Sequence, residues 1–90
     1  MFRPVYTRQF QKDLKRCQRR GKDMAKFKTI ARTLLSDESL DALHRDHKLI
    51  GSYIGRRECH IEADWLLIYK IDSDQLIFER TGTHSDLFKK

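Results

Sequence analysis

The run Asp64-Trp65-Leu66-Leu67-Ile68-Tyr69-Lys70-Ile71 constrains the fold more than any other stretch of this chain. Side chains of a strand alternate between two faces. A strand that is apolar at every successive position from Trp65 to Tyr69 must therefore be covered on both faces. The run is also far shorter than the roughly 20 residues a membrane helix needs. On its two sides lie "GRRECHI" (55–61) and "QLIFERTG" (75–82), which alternate in polarity, with "EAD" and "DSD" as the turns between. The pattern predicts an antiparallel meander with the apolar strand in the middle.

The N-terminal half supplies the cover. "FRPVY" reads as a short strand, and Pro4, which cannot donate a ladder hydrogen bond, places it at an edge. Thr7 caps a first helix whose apolar positions Phe10, Leu14 and Cys17 form one stripe, with Gly21 as the stop. Asp23 caps a second, with Met24, Phe27, Ile30, Ala31, Leu34 and Leu35 at helical spacing. Residues 36–51 lose both periods and read as a mostly irregular connection with one helical turn near Leu40. A loop this long in a small domain is functional or anchored across a surface. The order β-α-α-β-β-β defines an α+β fold, two helices on one face of a small antiparallel sheet. The opposite face is then free to carry a site.

The 90 residues allow one modest core and a single domain, 1–90. Cys17 and Cys59 form no C-x-x-C pair and read as reduced thiols. Cys59 and His60, adjacent in a strand, point to opposite faces and cannot easily share a zinc ion. The N-terminus lacks the apolar segment of a secretory signal, so a cytoplasmic protein with no membrane association is expected. The net charge is +6, and much of the excess lies on the helices, at Lys12, Lys15, Arg16 and Arg19 among others. Two readings of it stay open: a solvated helix face, or an electrostatic footprint for RNA, a ribosome surface or an acidic protein.

The chain has four histidines. His44 and His47 are spaced like a helical metal pair, but they fall in the irregular connection with no obvious third ligand, so no metal and no cofactor is expected. His60 ends one strand of the meander, and Asp64 opens the next. His84 follows the last strand, which returns beside the Asp64 end of the middle one. Singly, each reads as a surface histidine; the meander gathers His60, Asp64 and His84 at one end, within reach of the loop around His47. Imidazoles with a cation and no metal suit RNA cleavage by its own 2′-hydroxyl, in which one group takes a proton, another gives one, and a cation steadies the phosphorane. Arg80 is the candidate cation, against the reading that it pairs with Glu58. Phe88, one helical turn past His84, is placed to brace that ring or stack on a base, and Trp65 belongs mostly to packing though it also offers a stacking surface. Lys48 and Arg56 join the basic helix residues as candidate substrate-binding cations.

These residues resemble a known family. "DH-x-L-x-G" (46–51), "RECHIEADWLLIY" (57–69) and "ERTGTHSDLF" (79–88) are similar to motifs of the YafQ toxins of the RelE superfamily, and "FQKDLK" and "GKDMAKFK" resemble its helical half. The resemblance implies a microbial-RNase-like α+β fold. It also implies metal-independent endonuclease cleavage of mRNA in the ribosomal A site, and a DinJ-like antitoxin through whose complex alone operator DNA is reached. It carries His47, His60, Asp64, His84 and Phe88 over as site residues, with Lys48 standing where the family motif has proline, a change expected to loosen the loop that presents His47. The alternative of another class is a non-enzymatic module of the same fold that only binds antitoxin and represses.

Overall fold

A computed structural model describes residues 1–88. Strand β1 (Arg3–Tyr6) leads into helices α1 (Arg8–Arg19) and α2 (Met24–Leu35). The connection that follows holds two 3₁₀ turns, Ala42–His44 and Gly51–Tyr53, around a two-residue strand, β2 (His47–Lys48). Strands β3 (Arg57–Glu62), β4 (Trp65–Asp72) and β5 (Gln75–Gly82) form the meander, and a short helix, α3 (His84–Leu87), closes the described chain.

The fold is α+β, as the sequence pattern predicts, with a five-stranded sheet in the order β1-β5-β4-β3-β2. Pro4 does lie in an edge strand. One expectation about the strands is corrected. The sheet is not wholly antiparallel, because β1 runs parallel to β5. Periodicity within β1 carries no information about the direction of a partner so distant in sequence. The connection over 36–51 is mostly irregular, as expected, with a helical turn at Ala42–His44; the pattern did not announce β2, which pairs antiparallel with β3, His47 opposite Glu58.

The caps are where the sequence puts them. Thr7 Oγ1 accepts from the Phe10 amide at 3.0 Å, and Asp23 Oδ1 from the Ala25 amide at 3.0 Å. The stripes of the two helices bury Phe10, Cys17, Phe27, Ile30, Ala31 and Leu34 against Trp65, Leu67, Tyr69, Leu76 and Phe78 on the inner face of the sheet. Leu66 and Ile68 point the other way and are fully buried too, under Leu87 of α3 and under Leu49 and Tyr53 of the connection. The outer face is thus half roofed rather than free. That roof is what covers the second side of the apolar run in β4, and it leaves the polar residues of the outer face grouped along its margin.

Candidate active site at the margin of the outer sheet face

The register builds the site. His60 of β3 and Gly82 of β5 both lie opposite Leu66 of β4, one on each side. The chain leaves β5 at Gly82 and turns at once into α3, so His84 lands beside His60, with ring centroids 5.8 Å apart and the planes near perpendicular. The turn is tight. A Cβ on Gly82 would stand 2.8 Å from Asp86 Oδ2 and 2.9 Å from Asp86 Cβ. Asp86 and Thr83 form a reciprocal capping box, the Asp86 amide donating to Thr83 Oγ1 (3.1 Å) and the Thr83 amide to Asp86 Oδ2 (2.9 Å). Arg16 and Arg20 at the end of α1 clamp the same carboxylate, at 3.2 and 2.7 Å. The Arg20 bond leads in holding the Asp86 carboxyl far below the usual range.

Asp64, in the β3–β4 turn, accepts both the backbone N–H of His84 (2.9 Å) and its ring Nδ1–H (2.6 Å). The backbone bond first, then the ring bond, keep Asp64 ionised below the ordinary carboxylate range. With Nδ1 donating, Nε2 of His84 is the nitrogen left to exchange protons. The ring is 55% exposed, so substrate can reach it.

A second carboxylate joins the other imidazoles. Glu58, nearly buried, holds one oxygen 3.5 Å from Nε2 of His47 and 3.6 Å from Nε2 of His60. The Nδ1–H of His47 donates to the Arg45 carbonyl (2.6 Å), which again leaves Nε2 for chemistry. The loop is tied down just before His47: Asp46 Oδ1 accepts from the buried Tyr69 hydroxyl (2.7 Å) and from Arg57 Nε (3.2 Å). Leu49, two residues past His47, packs into the outer apolar cluster. The anchors of this loop are therefore Asp46 and Leu49, and Lys48 stands exposed between them. His44 turns away from His47 and donates its Nδ1–H to the His60 carbonyl (2.7 Å), so the two do not form a metal pair.

Other expected residues are placed differently. Trp65 is fully buried, its Nε1–H donating to Thr81 Oγ1 at 2.9 Å, so it cannot stack on a substrate. The physical reason is register: its side of β4 faces the helices. Arg80 pairs with neither a substrate cleft nor Glu58. Its Nε lies 2.7 Å from Asp13 Oδ2, and that bond raises its pKa further. Asp13, 1% exposed on α1, also accepts the Thr81 amide (3.1 Å), which lies beyond the end of β1 and has no strand partner on that side. Arg56 is held by Glu79 at 2.7 Å. Phe88 packs edge-on against Tyr53 (5.6 Å between centroids), and its amide donates to the His84 carbonyl at 2.8 Å. Of the basic helix residues, Arg16 serves α3 and Asp13, while Lys12, Lys15 and Arg19 are exposed and make no ion pair among the described residues.

Sequence reasoning gathered His47, His60, Asp64 and His84 and missed the group that joins them. In the sequence Glu58 stands out only as a partner for Arg80. The signal was present: Glu58 and His60, two apart in one strand, share a face. A cleft of about 380 Å³ opens beside the array, lined by Arg45, His60 and His84 among others. Two exposed imidazoles with oriented Nδ1–H groups flank a half-buried one; His84 keeps Nε2 unpaired among the described residues, and that of His47 faces the Glu58 carboxylate, 3.5 Å away. Such a set can take a proton at one point and deliver one at another.

The chain is similar to known proteins along nearly its whole length. Residues 2–89 match the family described as the bacterial toxin of the type II toxin–antitoxin system, YafQ. The mRNA interferase toxin YafQ of Escherichia coli K12 is 48% identical over 84 residues, covering 92% of this chain and 91% of the relative. The crystal structure of the E. coli DinJ–YafQ complex contains a chain that superposes with a TM-score of 0.91 at 45% identity, covering 98% of this chain and 99% of that one. A copper-bound mutant toxin from Helicobacter pylori superposes with a TM-score of 0.93 at 38% identity, covering 98% and 100%. Among the described residues here, no group of three or more His, Cys, Asp or Glu side chains is arranged to hold a metal ion. The chain belongs to the YafQ family of bacterial type II toxins.

Proposed function

We propose that this chain is a toxin that cleaves mRNA on the translating ribosome, in the cytoplasm, by acid–base catalysis from its own side chains. Endoribonuclease activity follows from family membership and from the mRNA interferase that shares 48% of its residues. The single observation that carries the mechanism is the linked array Asp64–His84, His60 and Glu58–His47 at the margin of one sheet face.

In this reading His47 Nε2, with His60 as its neighbour across Glu58, takes the proton of the ribose 2′-hydroxyl. The 2′-oxygen attacks phosphorus, the bond from phosphorus to the 5′-oxygen breaks, and His84 Nε2 delivers a proton to that leaving oxygen. The products are a 2′,3′-cyclic phosphate and a 5′-hydroxyl. Asp64 fixes the His84 ring, and Glu58 balances positive charge on either neighbouring imidazole. Phe88 holds the end of α3, and Lys48, Lys12, Lys15 and Arg19 meet RNA phosphates, whose contacts add through counterion release. The ribosome supplies the alignment that so small a surface does not. A DinJ-like antitoxin is the partner that silences it, as its relative's complex suggests.

The test is cleavage by the purified protein of a defined message, free or in the A site of programmed ribosomes, with chemical identification of both ends. Cleavage confined to ribosome-bound message, with cyclic or 3′-phosphate and 5′-hydroxyl ends, is expected. Efficient codon-phased cutting of naked RNA, or 5′-phosphate ends, contradicts the scheme.

A further inference from the structure

We propose that Arg45, rather than Arg80, supplies the cation that steadies the scissile phosphate; the proposal rests on the nuclease reading above. The scheme needs a positive group against the phosphorane, whose charge its imidazoles do not fully offset. Arg80 is already committed. Its guanidinium meets both oxygens of buried Asp13, at 2.7 and 3.4 Å, and leaving that pairing would take the nearest cation from a carboxylate that is 1% exposed. Arg56 is likewise held by Glu79.

Arg45 differs in three ways. It lines the same cleft as His60 and His84. It is exposed, and its side chain makes no ion pair among the described residues. Its backbone is left-handed (φ 48°, ψ 46°), an uncommon state for a residue with a side chain, and one that tends to persist where function requires it. That conformation also aims its carbonyl at His47 Nδ1. One residue thus sets the tautomer of one imidazole through its backbone and lines the cleft of two others. A guanidinium there matches the non-bridging oxygens of a phosphate in the cleft.

Glycine tolerates the left-handed state, so Arg45→Gly removes the guanidinium and keeps the carbonyl on His47. Single-turnover cleavage of ribosome-bound message is measured for wild type, Arg45→Gly and Arg45→Lys, with thermal melting as the folding control. Arg45→Gly is expected to lose about 10²-fold in the cleavage rate, within the range seen when one preorganised donor to a transition state is removed. KM and melting should hardly move. Guanidinium ion, far below denaturing levels, should restore part of the rate in Arg45→Gly only, and Arg45→Lys should retain part. A folded Arg45→Gly protein cutting at the wild-type rate overturns the proposal. So does a loss that guanidinium cannot restore, or an equal, guanidinium-restorable loss in Arg80→Gln without a change in melting. Absence of cleavage by folded wild type overturns instead the nuclease reading, and Arg45's role with it.

Discussion

Gly82→Ala should separate the stability of this fold from the geometry of its site. The added Cβ would lie 2.8 Å from Asp86 Oδ2, 2.9 Å from Asp86 Cβ and 3.3 Å from Asp86 Cγ. Favourable carbon contacts begin near 3.5 Å, so α3 must recede by roughly 0.6 Å. The carboxylate cannot swing aside alone, because Thr83, Arg16 and Arg20 all hold it. Gly82 also has φ 156°, outside the range L side chains usually adopt. Overpacking of this kind costs about 1–3 kcal/mol. In a domain of this size each kcal/mol lowers the melting temperature by roughly 4–8 °C. The larger effect falls on catalysis. His84 rides on the displaced helix and should lose its alignment with Asp64, and a misplacement near 1 Å can cost about 10²-fold in rate. A loss of about 10- to 100-fold in single-turnover cleavage, with a folded protein and a modest drop in melting, is expected. A variant that melts and cleaves like wild type would show that α3 accommodates the methyl group and that its approach to β5 does not position His84.

His84→Ala should lower cleavage by about 10²–10⁴-fold while leaving melting nearly unchanged, since the ring is half exposed and fills no core space. Glu58→Gln keeps the shape of the carboxylate that joins His47 and His60 but not its charge; a pH–rate profile of cleavage should shift, and an unchanged profile would remove Glu58 from the scheme. Asp86 has a folded-state pKa below its unfolded value, so its contribution to stability is complete well above the unfolded carboxyl pKa of about 4 and is lost as pH falls toward the folded one. Asp86→Asn should therefore flatten the acid limb of a melting-versus-pH curve. Lys12, Lys15 and Arg19 changed together to Ala should weaken ribosome or antitoxin binding and its salt dependence without unfolding, whereas Arg16→Ala should also loosen α3, as circular dichroism and melting would reveal. Cleavage should persist in EDTA when another cation keeps ribosomes intact; selective restoration of lost activity by copper, zinc or manganese would contradict the imidazole scheme.

What the sequence made legible follows from the range over which each signal acts. Caps, helix stripes and the alternation of β3 and β5 are local, and Thr7, Asp23 and the doubly apolar β4 all appear as the pattern requires. The convergence of His60, Asp64 and His84 was readable because a meander with short turns fixes register, and register fixes neighbours. The parallel pairing of β1 was not readable, being set by a partner some 70 positions away in sequence. Nor was Asp13. On an otherwise basic helix it looks like one more solvated charge, and only the free edge of β5 reveals what it satisfies. The pairing of Arg80 with Asp13 was hidden for the same reason, since its adjacency to "TGTH" says nothing about the helix packed beside it. On the basic helices the structure adds a use that neither reading named, ion pairs within the fold. Lys22 and Lys26 grip Glu62 and Arg16 grips Asp86, while Lys12, Lys15 and Arg19 remain available.

The account's central claim is that the imidazole array cuts translated message. The most direct measurement is mapping of mRNA 5′ ends in cells after brief induction of the wild-type protein or of His84→Ala, with and without a block to translation initiation. The predicted result is a set of new 5′-hydroxyl ends in phase with codons, present only with wild type and only while ribosomes are translating. New ends that survive the block, or that appear equally with a folded His84→Ala protein, would contradict it.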